Sequence, residues 1–143
     1  MNLPAIGCAV WLVAISSLAS TAQTPQTVWD GVYSEEQARR GETLYTTHCA
    51  DCHGEALTGQ EQAPALVGVS FASTWEGTPL SDLFEQMRKS MPEDQPGSLS
   101  RQQNADILAH MLRVGEFPAG PTPLSADAAS LRRIRYTSVR PAN

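Results

Sequence analysis

The pentapeptide Cys49-Ala50-Asp51-Cys52-His53 constrains this chain more than any other stretch of it. Two thiols three positions apart share one face of a helical turn, and a histidine follows the second directly. That spacing is the attachment sequence for a haem of the c type. The thiols bond to the two vinyl groups of one porphyrin, and the imidazole reaches the iron from one side. A bare Cys-x-x-Cys would also suit a thioredoxin-like redox pair, but such a pair follows a strand within a βαβ unit. Here the residues before Cys49 are helical in pattern, and no βαβ alternation follows. A zinc site needs four ligands, and the remaining cysteine, Cys8, lies in a segment expected to be removed. One haem c, covalent through Cys49 and Cys52, is the expected cofactor.

The first 22 residues carry no charged side chain and include the apolar run from Ala5 to Leu18. That run is too short to span a membrane and fits the apolar region of a secretory signal. Ser20 and Ala22 put small residues at the −3 and −1 positions of a cut before Gln23. No Lys or Arg stands near Met1, so the alternative is an uncleaved membrane anchor through residues 1–22. Too little apolar sequence precedes Cys8 to favour a lipid-modified cysteine. The expected organisation is a signal peptide at 1–22, one helical domain at 23–117 and a Pro/Ala/Arg-rich tail at 118–143. A mature chain of about 120 residues suits a single domain. Its core is short of apolar surface, which a buried haem would supply.

Gln23 to Thr27 reads as a polar linker, and Val28 to Tyr33 as an aromatic, turn-like arm. Ser34 and Gln37 form a capping box that starts a helix at Glu35 and carries it into Cys49. Gly41 interrupts that helix at a cost in stability, which points to a close contact there. Gly54 to Gly77 is punctuated by glycine and Pro64 and reads as mostly irregular. Thr78-Pro79 reads as a cap with proline at the first helical position, followed by the stripe Leu80, Leu83, Phe84 and Met87. Pro92 forces Met91 extended and ends that helix. Ser100 and Gln103 form a second capping box, opening a helix that carries Ile107, Leu108, Met111 and Leu112 and ends at Gly115. The fold class is all-α.

An electron carrier needs a sixth iron ligand, and methionine is the usual partner of histidine. Met87 and Met111 sit on apolar stripes, where core filling accounts for them. Met91 stands at a helix end before a proline, where a thioether can turn away from its own helix. His48 and His110 are the rival ligands. His48 starts on the face away from the iron, and His110 shares a face with Gln103, Asp106 and Arg113, for which exposure to solvent is expected. The segment from Gln23 to Phe117 holds 14 acids against 6 basic residues, a balance of −8. Arg132, Arg133, Arg135 and Arg140 of the tail face one acid, Asp127. The tail is read as lying on the acidic body, reaching for a partner, or simply solvated.

With Cys49-Ala-Asp-Cys52-His53, Pro64-Ala-Leu66, Met91-Pro92 and the terminal helix in this order, the chain resembles class I cytochrome c over Tyr33 to Phe117. It is similar to bacterial monohaem cytochromes that serve, or are fused to, quinoprotein dehydrogenases and oxidases. The resemblance implies a compact fold whose first and last helices cross near Gly41. It implies thioethers at Cys49 and Cys52, His53 as proximal ligand, Met91 as distal ligand, and the Pro64 carbonyl as acceptor for the proximal imidazole. Leu66 and Trp75 fall where pocket lining is expected, with Trp75 a candidate contact to a propionate. Covalent haem attachment in such systems takes place outside the bacterial cytoplasm, so a periplasmic location is expected. The expected function is one-electron transfer between exported redox partners. The alternatives are a haem subunit of a dehydrogenase or oxidase complex, or a haem sensor or enzyme. The acidic body calls for a redox partner with a basic docking face, and no nucleic-acid partner is expected.

Overall fold

The computed structural model describes residues 26–61 and 63–142. In chain order the elements are β1 (Gln26–Thr27), α1 (Glu35–His48), α2 (Ala50–His53), α3 (Gly68–Trp75), α4 (Leu80–Ser90), α5 (Arg101–Val114), α6 (Ala128–Leu131) and β2 (Ile134–Arg135). The expected signal at 1–22, its cut before Gln23 and residues 23–25 of the linker lie outside the described residues. No helix of the described residues is long and apolar enough to cross a membrane.

Local signals account for three of the helices. The Ser34 hydroxyl accepts the Gln37 N–H at 3.3 Å and caps α1. Ser100 and Gln103 make both bonds of a capping box at the start of α5, which ends at Gly115. Helix α4 begins one residue later than its sequence suggests. Pro79 is the N-cap with extended ψ, and the Thr78 hydroxyl donates to the Trp75 carbonyl instead of capping. Met91 closes α4 in extended backbone, at φ −120° and ψ 150°.

Helix α3 breaks the expectation of an irregular stretch between Gly54 and Gly77. It begins without a side-chain cap and is held by Phe71, which is buried in the core. The expected linker also contributes structure. Gln26 and Thr27 pair in parallel with Ile134 and Arg135, which joins the two ends of the described chain.

Helices α1 and α5 cross at Gly41, where a Cβ would overlap the Asp106 carbonyl. The crossing has a consequence that the polar pattern of α5 hides. Asp106 and His110 are buried, at 5% and 4% exposure, and not solvated as their shared face suggests. The closeness of α1 covers that face and supplies its partners. Arg40 bonds Asp106 at 3.2 Å, and Arg113 Nη2 donates both to His110 Nδ1 at 3.2 Å and to Glu42 at 2.7 Å, while Nη1 pairs with Glu35 at 3.2 Å. The His110 ring lies against Tyr45, with centroids 5.3 Å apart.

The segment after Phe117 packs on the same core. Leu124, Leu131, Ile134 and Tyr136 are buried there, and Tyr136 stacks edge-on against both Phe71 and Phe117. Gln37, expected to complete the first capping box, turns inward instead. Its amide accepts the Leu124 N–H at 2.6 Å and donates to the Leu124 carbonyl at 3.0 Å. The arm before α1 meets the same region. The Tyr33 hydroxyl donates to the Phe117 carbonyl at 2.7 Å, and Trp29 Nε1 donates to the Thr137 carbonyl at 2.9 Å.

Two outcomes test this core. Gly41→Ala must push α1 and α5 apart, and should lower stability by about 2 kcal/mol or more, as overpacking does. Chemical denaturation of the haem-loaded protein measures it. Burial, and then Arg113, hold the His110 pKa below the ordinary value of 6.5, against the pull of Glu42. The unfolded chain therefore takes up that proton first, and the stability His110 contributes is full above pH 6.5 and is lost as pH falls through the folded value. His110→Gln should flatten the fall of melting temperature in that acid window relative to the parent.

Candidate haem site

The attachment turn grows directly out of α1. The Cys49 N–H donates to the Tyr45 carbonyl at 2.8 Å and ends the helix. The chain then makes one turn, α2, in which the N–H groups of Cys52 and His53 both return to the Cys49 carbonyl at 3.2 and 2.9 Å. This single turn sets the two thiols on one side. Both cysteines are free, Cys49 half-buried and Cys52 exposed. Burial, and secondarily Cys52, push the Cys49 thiol up to about 11. A sulfur there stays uncharged, as a thioether sulfur also is.

His53 is buried, at 8% exposure, and its Nδ1 lies 2.8 Å from the Pro64 carbonyl oxygen. A carbonyl can only accept, so Nδ1 carries the proton and Nε2 of the neutral ring keeps its lone pair. The hydrogen bond thus fixes both the tautomer and the ring plane, as outer partners of metal-binding histidines do. Two features that sequence reasoning did not single out hold this pair. The Tyr45 hydroxyl donates to the Gly54 carbonyl at 2.7 Å and pins the residue after His53. Gly59, at φ +79°, bonds the His53 carbonyl through its N–H and passes under residues 63–65. A Cβ at Gly59 would sit 2.7 Å from the Ala65 nitrogen, so only glycine lets the loop bring Pro64 over the imidazole. The glycine spacing of the loop was visible in sequence, but the residue it must clear was not.

Beside the turn lies a cavity of about 660 Å³ within the size range of ligand pockets. Its wall is largely apolar and includes Leu66, Phe71, Leu108, Met111, Phe117 and Tyr136. Cys49, Cys52, His53, Pro64, Trp75 and Met91 are not among its lining residues. Leu66, two residues after Pro64, belongs to this wall, and its N–H donates to the Leu57 carbonyl at 2.8 Å. Trp75 stands behind the wall, its ring 6.2 Å from that of Phe71. Met91 is half-buried at the end of α4. Met111, assigned to core filling by its stripe, is buried and also faces the cavity. Met87 is partly buried against the core. His48 is exposed, and His110 is engaged between α1 and α5.

These residues fit a covalently held haem. A pair of thiols sits one turn apart, an imidazole held through Nδ1 leaves Nε2 unprotonated, and the chain that follows Pro64 enters the wall of a roomy apolar cavity at Leu66.

Comparison with known proteins leads to the same chemistry. Residues 36–111, more than half of the chain, match the family described as cytochrome c oxidase, cbb3-type, subunit III. No curated protein matches the chain. Among solved structures, it is similar to the sulfane dehydrogenase SoxCD of Paracoccus pantotrophus, at 22% identity and a TM-score of 0.47. That match covers 62% of this chain and 53% of the other, so the chain spans about half the length of that relative. The match over residues 36–111 shows the chain to belong to this family of c-type cytochrome domains, whose members transfer electrons through a covalently bound haem c.

Proposed function

We propose that the chain is a one-electron carrier whose iron is held between His53 and Met91. The bond from His53 Nδ1 to the Pro64 carbonyl is the observation that carries this reading, because it aims an unprotonated Nε2 outward from a fixed ring. When bound, the haem supplies an iron that accepts and returns a single electron. The protein's own residues do the rest. Cys49 and Cys52 would hold the porphyrin through thioethers, and His53, oriented by the Pro64 carbonyl, would supply a nitrogen ligand to its iron. Leu66, Phe71, Leu108 and Met111 keep water from the apolar faces.

Met91 is the proposed second ligand. Its extended backbone at the end of α4 frees its side chain from the helix stripe that holds Met87. A soft thioether and an apolar surround both favour the reduced state and raise the potential. Ligation by both His53 and Met91 would leave the iron no open site for a substrate or gas, which favours a carrier over a haem enzyme or sensor. Leu66 is proposed to line the pocket, and Trp75 to support that wall through its contact with Phe71.

We further propose that residues 1–22 direct export and are cut before Gln23, so the protein acts in the periplasm, with a membrane anchor as the alternative. The organisation proposed with it is a cytochrome domain from Gln23 to Phe117 followed by the segment 118–143. The partners proposed are redox proteins, a dehydrogenase or an oxidase, met either as a free shuttle or within one complex.

Haem should survive acid–acetone extraction and add one porphyrin mass to a chain beginning near Gln23. A haem-free mass, or a Cys49–Cys52 bridge, would contradict the reading. Met91→Ala should lower the midpoint potential, abolish the near-infrared methionine–iron band and admit carbon monoxide. Met87→Leu and Met111→Leu conserve apolar volume and should cost below about 1.5 kcal/mol with the band intact. Loss of the band in Met87→Leu or Met111→Leu, with Met91→Ala unaffected, would move the ligand role elsewhere.

A further inference from the structure

The family match ends at residue 111, yet Phe117, Tyr136, Ser138 and Val139 also line the cavity. Of the three that belong to the tail, Tyr136 is the buried one, at 5% exposure. Its ring lies edge-on against Phe71 at 5.9 Å and against Phe117 at 5.4 Å, and both of these line the cavity as well. Tyr136 therefore joins α3 to the chain beyond α5 within one stretch of the wall.

The backbone holds this ring from both sides. The Tyr136 N–H donates to the Thr78 carbonyl at 3.0 Å, and the Gly77 N–H donates to the Tyr136 carbonyl at 2.8 Å. Before it, Ile134 and Arg135 pair with Gln26 and Thr27. After it, the Thr137 carbonyl accepts Trp29 Nε1 at 2.9 Å, and the Ser138 N–H donates to Glu76 Oε2 at 2.8 Å. An unbroken run of the tail, 134 to 138, is thus tied to the N-terminal arm and to the chain that follows α3. Terminal segments are poorly ordered unless tied down in this way.

We propose that Tyr136 is a residue that sets the haem potential, because its ring completes the cavity wall and keeps water from the side that the tail covers. The proposal rests on the electron-carrier reading and adds to it a tuning residue from outside the family segment. Oxidised iron carries one more positive charge than reduced iron, and nearby water stabilises the more charged form. An apolar shell therefore raises the potential of a metal centre by limiting solvent access and lowering the local dielectric. Tyr136 acts by shape. Burial, and then Glu76, push its hydroxyl up to about 12, so the ring stays uncharged through the neutral range.

The test measures the midpoint potential of the haem-loaded full chain by mediated titration, with the melting temperature followed alongside. Tyr136→Phe keeps the ring and should hold the potential close to that of the parent. Tyr136→Ala removes the ring and should shift the reduction equilibrium about tenfold toward the oxidised form, about 59 mV for one electron. Tyr136→Leu fills the wall in part and should fall between them, and it serves should the Ala variant not take up haem. Leu131→Ala is the control, since Leu131 is buried in the same tail but does not line the cavity. It should lower the melting temperature and leave the potential unchanged. A parent-like potential in the Ala or Leu variant of Tyr136 would overturn the proposal. So would equal falls in the Phe and Ala variants, which would give the effect to the hydroxyl. An equal fall in Leu131→Ala would do the same by giving it to general loosening of the tail. A parent without a reversible one-electron couple would instead count against the carrier reading.

Discussion

The contact between α1 and α5 at Gly41 sets the position of nearly everything that matters for the site. Because nothing but hydrogen stands between Gly41 and the Asp106 carbonyl, the two helices approach closely, and each uses its other surfaces on what remains. The end of α1 delivers Cys49 and the attachment turn. The far side of α5 delivers Leu108, Met111 and Leu112 to the cavity. A single crossing therefore sets the attachment turn at the end of α1 relative to the cavity wall that α5 contributes. The buried polar groups at the crossing support this arrangement because each has a partner: Asp106 with Arg40, His110 with Arg113. A charged or hydrogen-bonding group left alone at that depth would oppose the close approach.

What the sequence made legible was local. Ser34, Ser100 and Pro92 mark helix ends through bonds or clashes within four residues, and the structure places α1, α4 and α5 within a residue of those marks. The attachment turn is equally local, which explains why five residues identify it. Helix α3 lacks such a mark, since it begins after Val67 with no side-chain cap and depends on Phe71 reaching the core. His110 was misjudged for the same reason. Its neighbours on α5 are polar, and only α1, brought in across the chain, makes that face an interior one.

The site divides along the same line. Pro64 was pointed to by resemblance alone, and its hydrogen bond with His53 spans 11 residues that the loop must fold back upon. That return depends on Gly59, whose role is unreadable without knowing that residues 63–65 pass over it. The aromatic wall of Phe71, Phe117 and Tyr136 gathers three residues that share no periodicity. The core of the family and the segment outside it meet at that wall, so the cavity is finished by sequence that the family alone does not describe.

The paired bonds between Gln37 and the Leu124 backbone carry a consequence for the order of events during synthesis. The amide sits in the first turn of α1, but its partner lies 87 residues downstream. Until the ribosome has released that stretch, Gln37 must remain wetted, and α1 cannot settle into its final surroundings. The wall contributed by Tyr136 and Val139 comes later still. Through translation the cavity is therefore open on that side while Cys49 and Cys52 are already made. The side of the cavity made by Tyr136, Ser138 and Val139 is thus the last part of its wall to be synthesised.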